Sequence, residues 1–179
     1  LSDELFISYS TFRNVLSYTN NYLKKYNIKI VSNNNLLYLQ GNERDLRKLM
    51  STIIYDEVSI NSFSIENLYE YFNSVLVIKV IDFLDSFSKS NGFTINHFTK
   101  MNLILHFCIL IKRIQGGNIE MDSSVNSDNS KFLLECDHAL ITKLHNEIFN
   151  AFNIYIDNDN LKEAYLLLQI NSDLNLNLA

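Results

Sequence analysis

Proline is absent from the 179 residues, and glycine occurs only four times, at Gly41, Gly92, Gly116 and Gly117. None of these glycines opens a strand-to-helix turn followed by lysine, which excludes a glycine-rich phosphate-binding loop. Cysteine is equally scarce. Cys108 and Cys136 lack metal-ligand spacing, and Cys108 lies within an apolar helical run. Zinc and disulfide frameworks are therefore set aside in favour of buried, reduced thiols. Long hydrophobic runs are missing too: the longest, Leu103 to Ile111, is interrupted by His106 and is far too short to span a bilayer. With no visible signal peptide, the expectation is a cytoplasmic protein with no membrane partner. The lack of proline, beside abundant Asn, Ile, Lys and Tyr, points to an AT-rich coding sequence and says nothing of function.

What is present is 47% hydrophobic content, enough for one sizeable core or two modest ones. The net charge of −5 opposes nucleic-acid binding until it is divided along the chain. Residues 1–50 carry seven Lys and Arg against four acids, a net of +3, and the other 129 residues carry eight against sixteen, a net of −8. A basic head that neutralises phosphates and an acidic body is the division expected of a regulator, while Lys24, Lys25 and Lys29 also fit a merely solvated surface.

The first fifty residues read as most of a winged helix-turn-helix. Leu1 to Phe6 form a short helical segment, Ile7 and Ser8 a tight turn, and Ser8 the N-cap of a second helix. In that helix Phe12, Leu16, Thr19, Leu23 and Tyr26 recur at spacings of three and four and line one face. Tyr9, Ser10, Arg13, Asn14 and Ser17 carry hydrogen-bonding groups near the helix N-terminus, where a recognition helix meets base edges and phosphates. Ile28 to Val31 and Leu36 to Leu39 are strand-like runs around Ser32 to Asn35, a wing whose asparagines tolerate positive φ. Lys29 is expected beside that turn as a phosphate contact.

These residues resemble the bacterial regulators of the BglG and Mga type, which include the mannitol-operon activators. The resemblance is carried by Ile7, Ser8, Ser10, Thr11 and Arg13 at the start of the recognition helix, and by NYLKKYNIKI from Asn21 to Ile30. It is also carried by a Gly-x-Glu-x-x-x-Arg step at Gly41, Glu43 and Arg47. Asn14 stands where the family often has a second basic residue. The family's usual preceding helix is missing, so the chain is expected to be a fragment. The resemblance implies double-stranded DNA as partner, a homodimer and no cofactor.

Beyond Leu49 the apolar spacing predicts helices over Leu49 to Glu57, Ile65 to Ser90, Asn96 to Gln115, Lys131 to Phe152 and Asn160 to Ile170. The second of these is apolar on more than one face and is expected at the centre of a bundle. Gly116 to Ser130 reads as an exposed loop. The whole is mainly α: a winged head over 1–48 and a helical domain over 49–179. Leu103 to Gly117, with His106 and Arg113, is similar to a marker helix of the PTS regulation domain. That similarity implies phosphorylation at His106 by phosphocarrier proteins of the sugar phosphotransferase system. A second marker helix is matched around Glu163 and Leu168, but Gln169 stands where its histidine is expected, so only His106 carries over.

Two readings of His106 stand. A phosphate on it adds about two negative charges to a packed surface, which makes a switch. Alternatively, the bulk of Leu103 to Ile109 makes it a satisfied core histidine. His138 and His145 are seven apart rather than four and, with His97, read as surface or cap residues, so neither a metal site nor an enzyme is expected. The competing hypothesis is a helical interaction module without a nucleic-acid role. It is distinguished by whether Ser8 to Tyr26 is a continuous helix with Arg13 and Asn14 exposed beside a protruding hairpin.

Overall fold

The computed structural model describes residues 6–34, 36–59, 64–97, 99–117 and 138–174. The chain divides into two compact units, 1–50 and 51–179. The helix expected at Leu1 to Phe6 lies outside the described residues except for Phe6, which sits in a turn.

In the first unit Ser8 is extended and caps α1 (Tyr9–Leu23), its hydroxyl accepting the Thr11 N–H at 3.1 Å. The helix does not run to Tyr26. It tightens into a 3₁₀ turn over Lys24–Tyr26 and stops at Asn27, whose φ of 56° is left-handed, a conformation asparagine tolerates better than most residues. Strands β1 (Lys29–Asn33) and β2 (Leu36–Gln40) pair antiparallel, with Asn33 opposite Leu36. The turn is thus two residues, shorter than the four expected, and Asn34 supplies a φ of 48°. Leu23, Tyr26, Ile28 and Leu49 form the core, with Ile30 and Leu46 against it. Gly41 is required there by proximity: a Cβ at this position would stand 2.8 Å from Ile28 Cγ1.

Helix α2 (Glu43–Ser59) begins six residues before the predicted start. Asn42 and Asp45 bond reciprocally, Asp45 N–H to Asn42 Oδ1 at 2.7 Å and Asn42 Nδ2 to Asp45 Oδ2 at 2.8 Å, which fixes the earlier start.

In the second unit the single helix expected over Ile65 to Ser90 is broken. A four-residue α3 (Ile65–Leu68) precedes a turn, and Asn73 then caps α4 (Ser74–Asn91), accepting the Val75 N–H at 2.8 Å. The central helix is α5 (Lys100–Gln115) rather than α4: nine of its residues are buried, whereas Val75 of α4 is 58% exposed. Helix α5 starts four residues later than predicted. Helices α6 (His138–Phe152) and α7 (Asn158–Asn171) follow; α5 packs on α4 and α7, and α6 packs on the same two. Residues 131–137, expected at the start of α6, and 118–130 of the expected loop lie outside the described residues. Phe83 of α4 joins three helices, its ring 5.9 Å from Phe107 and 5.5 Å from Phe152. Cys108 is fully buried in α5, and burial pushes its thiol up to about 12; Cys136 lies outside the described residues.

The link between α4 and α5 is tied to the end of α7. Ile95 bridges Ser172, and the Asn96 N–H donates to the Asn171 carbonyl at 2.7 Å. The Asp173 carboxylate accepts from both the Thr94 N–H, at 2.6 Å, and the Thr94 hydroxyl, at 2.9 Å. The Thr94 N–H, and then its hydroxyl, hold the Asp173 carboxyl below its ordinary pKa. A lowered carboxyl contributes stability above its unfolded value and loses it as the pH falls through the folded value. Acidification through the carboxylate range should therefore release this tie, read as a fall in the protection factor of the Thr94 amide relative to its intrinsic exchange rate. Asp173→Asn should remove the pH dependence of that protection factor, and an unchanged acid-induced fall in the variant would refute the assignment.

Candidate nucleic-acid interface

Helix α1 buries only one edge. Leu23 is buried and Phe12, Leu16 and Thr19 are half-buried, while Tyr9, Ser10, Arg13, Asn14 and Ser17 are all exposed. Ser10 is partly engaged, since its hydroxyl lies 2.8 Å from that of the cap residue Ser8. Tyr9, Arg13, Ser17, Asn20 and Lys24 recur at spacings of four, four, three and four, so they form one stripe along the helix.

At Asn20 this stripe meets the hairpin. In the two-stranded ladder Asn33 and Leu36 flank the turn as a hydrogen-bonded pair, so Ile30, three residues back, turns its backbone groups away from β2. Both are taken by one side chain: the Ile30 N–H donates to Asn20 Oδ1 at 2.6 Å, and Asn20 Nδ2 donates to the Ile30 carbonyl at 3.1 Å. The amide of Asn20 thus acts as a one-residue third strand and joins the helix to the hairpin.

Lys29 is exposed, but it is not at the turn. It pairs with Gln40 at the base of the hairpin, four residues from Asn33, or about 14 Å at the rise of a strand. It lines an open groove with Lys24, Asn27, Gln40 and Gly41, with Asn20 among the lining residues. The exposed members of β2, Leu36, Tyr38, Leu39 and Gln40, carry no charge. Lys25 lies over two rings, its Nζ 3.9 Å from the Tyr22 centroid and 4.8 Å from that of Tyr26.

The Gly-x-Glu-x-x-x-Arg step has a structural use. Glu43 and Arg47 are both buried and paired, Arg47 Nε to Glu43 Oε1 at 3.1 Å, one turn apart on α2.

The capped, solvent-facing helix and its antiparallel hairpin also have a likeness among known families. Residues 1–53 match the Mga helix-turn-helix domain. No curated protein matches the chain. The Mga match supports a helix-turn-helix regulator, a motif that reads DNA through an exposed helix. It covers the head and none of α3 to α7.

In the second unit His106 is half-buried on α5, and burial lowers its pKa, which keeps the imidazole neutral. His97 and His138 are exposed, and the half-buried His145 stacks edge-on with Tyr155 at 5.7 Å. Among the described residues no helix is long and apolar enough to cross a membrane.

Sequence reasoning missed Asn20 and the Glu43–Arg47 pair. A signal existed for the first: asparagine is a poor residue for a helix interior unless its side chain has a partner. The buried ion pair makes a measurable claim. Glu43→Gln should destabilise it by about 3–5 kcal/mol, because the guanidinium is left buried without its charge partner. The double replacement Glu43→Gln with Arg47→Met should recover part of that loss in urea titrations, and full additivity would show that the two do not act as a pair.

Proposed function

We propose that the chain is a DNA-binding transcription regulator whose α1 is the recognition helix. The observation that carries this reading is the solvent-facing Tyr9–Arg13–Ser17 stripe with Ser10 and Asn14 beside it, on a helix joined by Asn20 to a hairpin, within a Mga-type match. Arg13 and Asn14 reach base edges, Tyr9, Ser10 and Ser17 contact bases or backbone near the helix start, and Lys29 contacts a phosphate from the base of the hairpin. This arrangement favours a regulator over a purely helical interaction module.

A net charge of +3 on residues 1–50 is a modest footprint, which fits action as a homodimer through the helical domain. That domain acts as a PTS-regulation-like module in the cytoplasm, with His106 the acceptor of a phosphoryl group. A neutral imidazole, kept so by burial, has the free nitrogen lone pair that such an acceptor needs. The modified ring then brings about two negative charges to a helix whose neighbours are apolar.

Arg13→Ala should cost about 1–3 kcal/mol in affinity for a selected duplex and leave the fold intact, whereas Lys29→Gln should weaken all duplexes alike and reduce the salt slope by roughly one. Unchanged binding of both variants across a salt titration would sink the recognition-helix assignment.

Incubation with phosphoenolpyruvate and the general phosphotransferase components should place one acid-labile phosphate on the chain, absent in His106→Ala. Mass spectrometry under alkaline conditions reads the outcome. Labelling that survives the substitution identifies a different acceptor, and no labelling removes phosphotransferase control from the function.

A further inference from the structure

Helix-turn-helix proteins with a wing must present two elements to one duplex at a fixed separation, and here the connection between them is unusually localised. The exposed stripe Tyr9, Arg13, Ser17 continues at helical spacing into Asn20, and Asn20 holds Ile30 of β1 by two hydrogen bonds of 2.6 and 3.1 Å. The two groups it satisfies are those that the β1–β2 ladder leaves outward. Hydrophobic contact holds the hairpin base to the core through Ile28 and Ile30, but apolar contact is non-directional and leaves the tilt of a two-stranded ribbon loosely set. A bidentate amide is directional. It fixes the β1 edge against one helical turn and sets where Lys29, on the hairpin, stands relative to Lys24, on the helix side of the same groove.

We infer that Asn20 is a positioning residue for DNA recognition, which sets the hairpin against the recognition helix without itself touching DNA. The inference rests on the DNA-binding reading above. Replacing Asn20 removes no charge and no base contact, so any fall in the salt slope reports only the hairpin's phosphate contact at Lys29, whose geometry is lost.

The full chain is used, with the duplex that the wild type selects from a randomised pool as probe. Asn20→Ala should bind on the order of tenfold more weakly, as loss of two hydrogen bonds allows, with a salt slope lower by roughly one as the Lys29 phosphate contact is lost. Its hydroxyl-radical footprint should lose the flanking protection given by the hairpin and keep the central protection given by α1. Arg13→Ala should do the reverse. Asn20→Asp, nearly the same size, keeps an acceptor for the Ile30 N–H but sets a carboxylate oxygen against the Ile30 carbonyl, so it should behave like alanine.

A merely structural role would weaken central and flanking protection together, in proportion to the unfolded fraction measured by thermal melting, and that result would overturn the inference. So would Asn20→Ala or Asn20→Asp with the wild-type footprint and affinity, even though Arg13→Ala still fails. If the wild type selects no duplex, the DNA-binding reading falls and this inference falls with it. In the free protein, faster exchange of the Ile30 amide in Asn20→Ala reports loss of the amide pair independently of any DNA.

Discussion

The head depends on the space around one side chain, Ile28. It is 2% exposed and lies in a core with Leu23, Tyr26 and Leu49. A chain emerging from α1 can reach that seat only by reversing sharply, which the left-handed Asn27 provides, and the returning strand can pass it only where the side chain is missing, which Gly41 provides. Close-packed interiors transmit such restrictions over several residues. With Ile28 fixed, the register of β1 against β2 follows, and Asn42 is delivered to the position from which α2 begins. Glu43 of the Glu43–Arg47 pair then sits in the first turn of that helix, where a carboxylate also benefits from the helix N-terminus. The family-like Gly-x-Glu-x-x-x-Arg step is thus a folding instruction read at three positions, with no contact role required of it.

The helical unit answers to a different constraint. Helix α5 packs against α4 and α7 and buries nine of its residues, so these need no narrow amphipathic stripe and its apolar residues follow one another without a gap from Leu103 to Ile111 except at the half-buried His106. A polar ring in such a run is held in its neutral form because the charged form would lose hydration. The rings around Phe83 give the bundle core a directional element, since aromatic pairs prefer tilted and offset geometries.

Local chemistry made much of this legible in the sequence. The Ser8 cap, the asparagine turn and the apolar spacing of α1, α5 and α7 are written in neighbouring residues, and the hairpin was found for the same reason. The break before α4 was not legible, because Leu68, Phe72, Leu76 and Val80 keep helical spacing straight across it, so periodicity sees one helix where the Asn73 cap makes two. The start of helix α2 is hidden from apolar periodicity because its first turn, Glu43 to Asp45, is polar, though its reciprocal cap is legible in neighbouring residues. Which helix lies at the centre depends on partners distant in sequence, so periodicity favours α4 where packing places α5. At the candidate interface the exposed polar residues of α1 could be picked from their spacing. The bond from Asn20 to Ile30 could not, since it requires the ladder to be in register before the outward groups of Ile30 are known. The displacement of Lys29 from the turn has the same origin, a shift of strand ends that only cross-strand pairing fixes.

Cys108 gives the helical unit a built-in clock. A thiol pushed up to about 12 and fully enclosed by α5 and its neighbours holds almost no thiolate at neutral pH, and the thiolate is the species that alkylating agents and oxidants attack. While the bundle is closed, this sulfur is indifferent to the redox state of its surroundings. Every modification of it records an opening event, so the rate at which Cys108 is lost to a thiol reagent counts the excursions of the bundle's central helix out of its core.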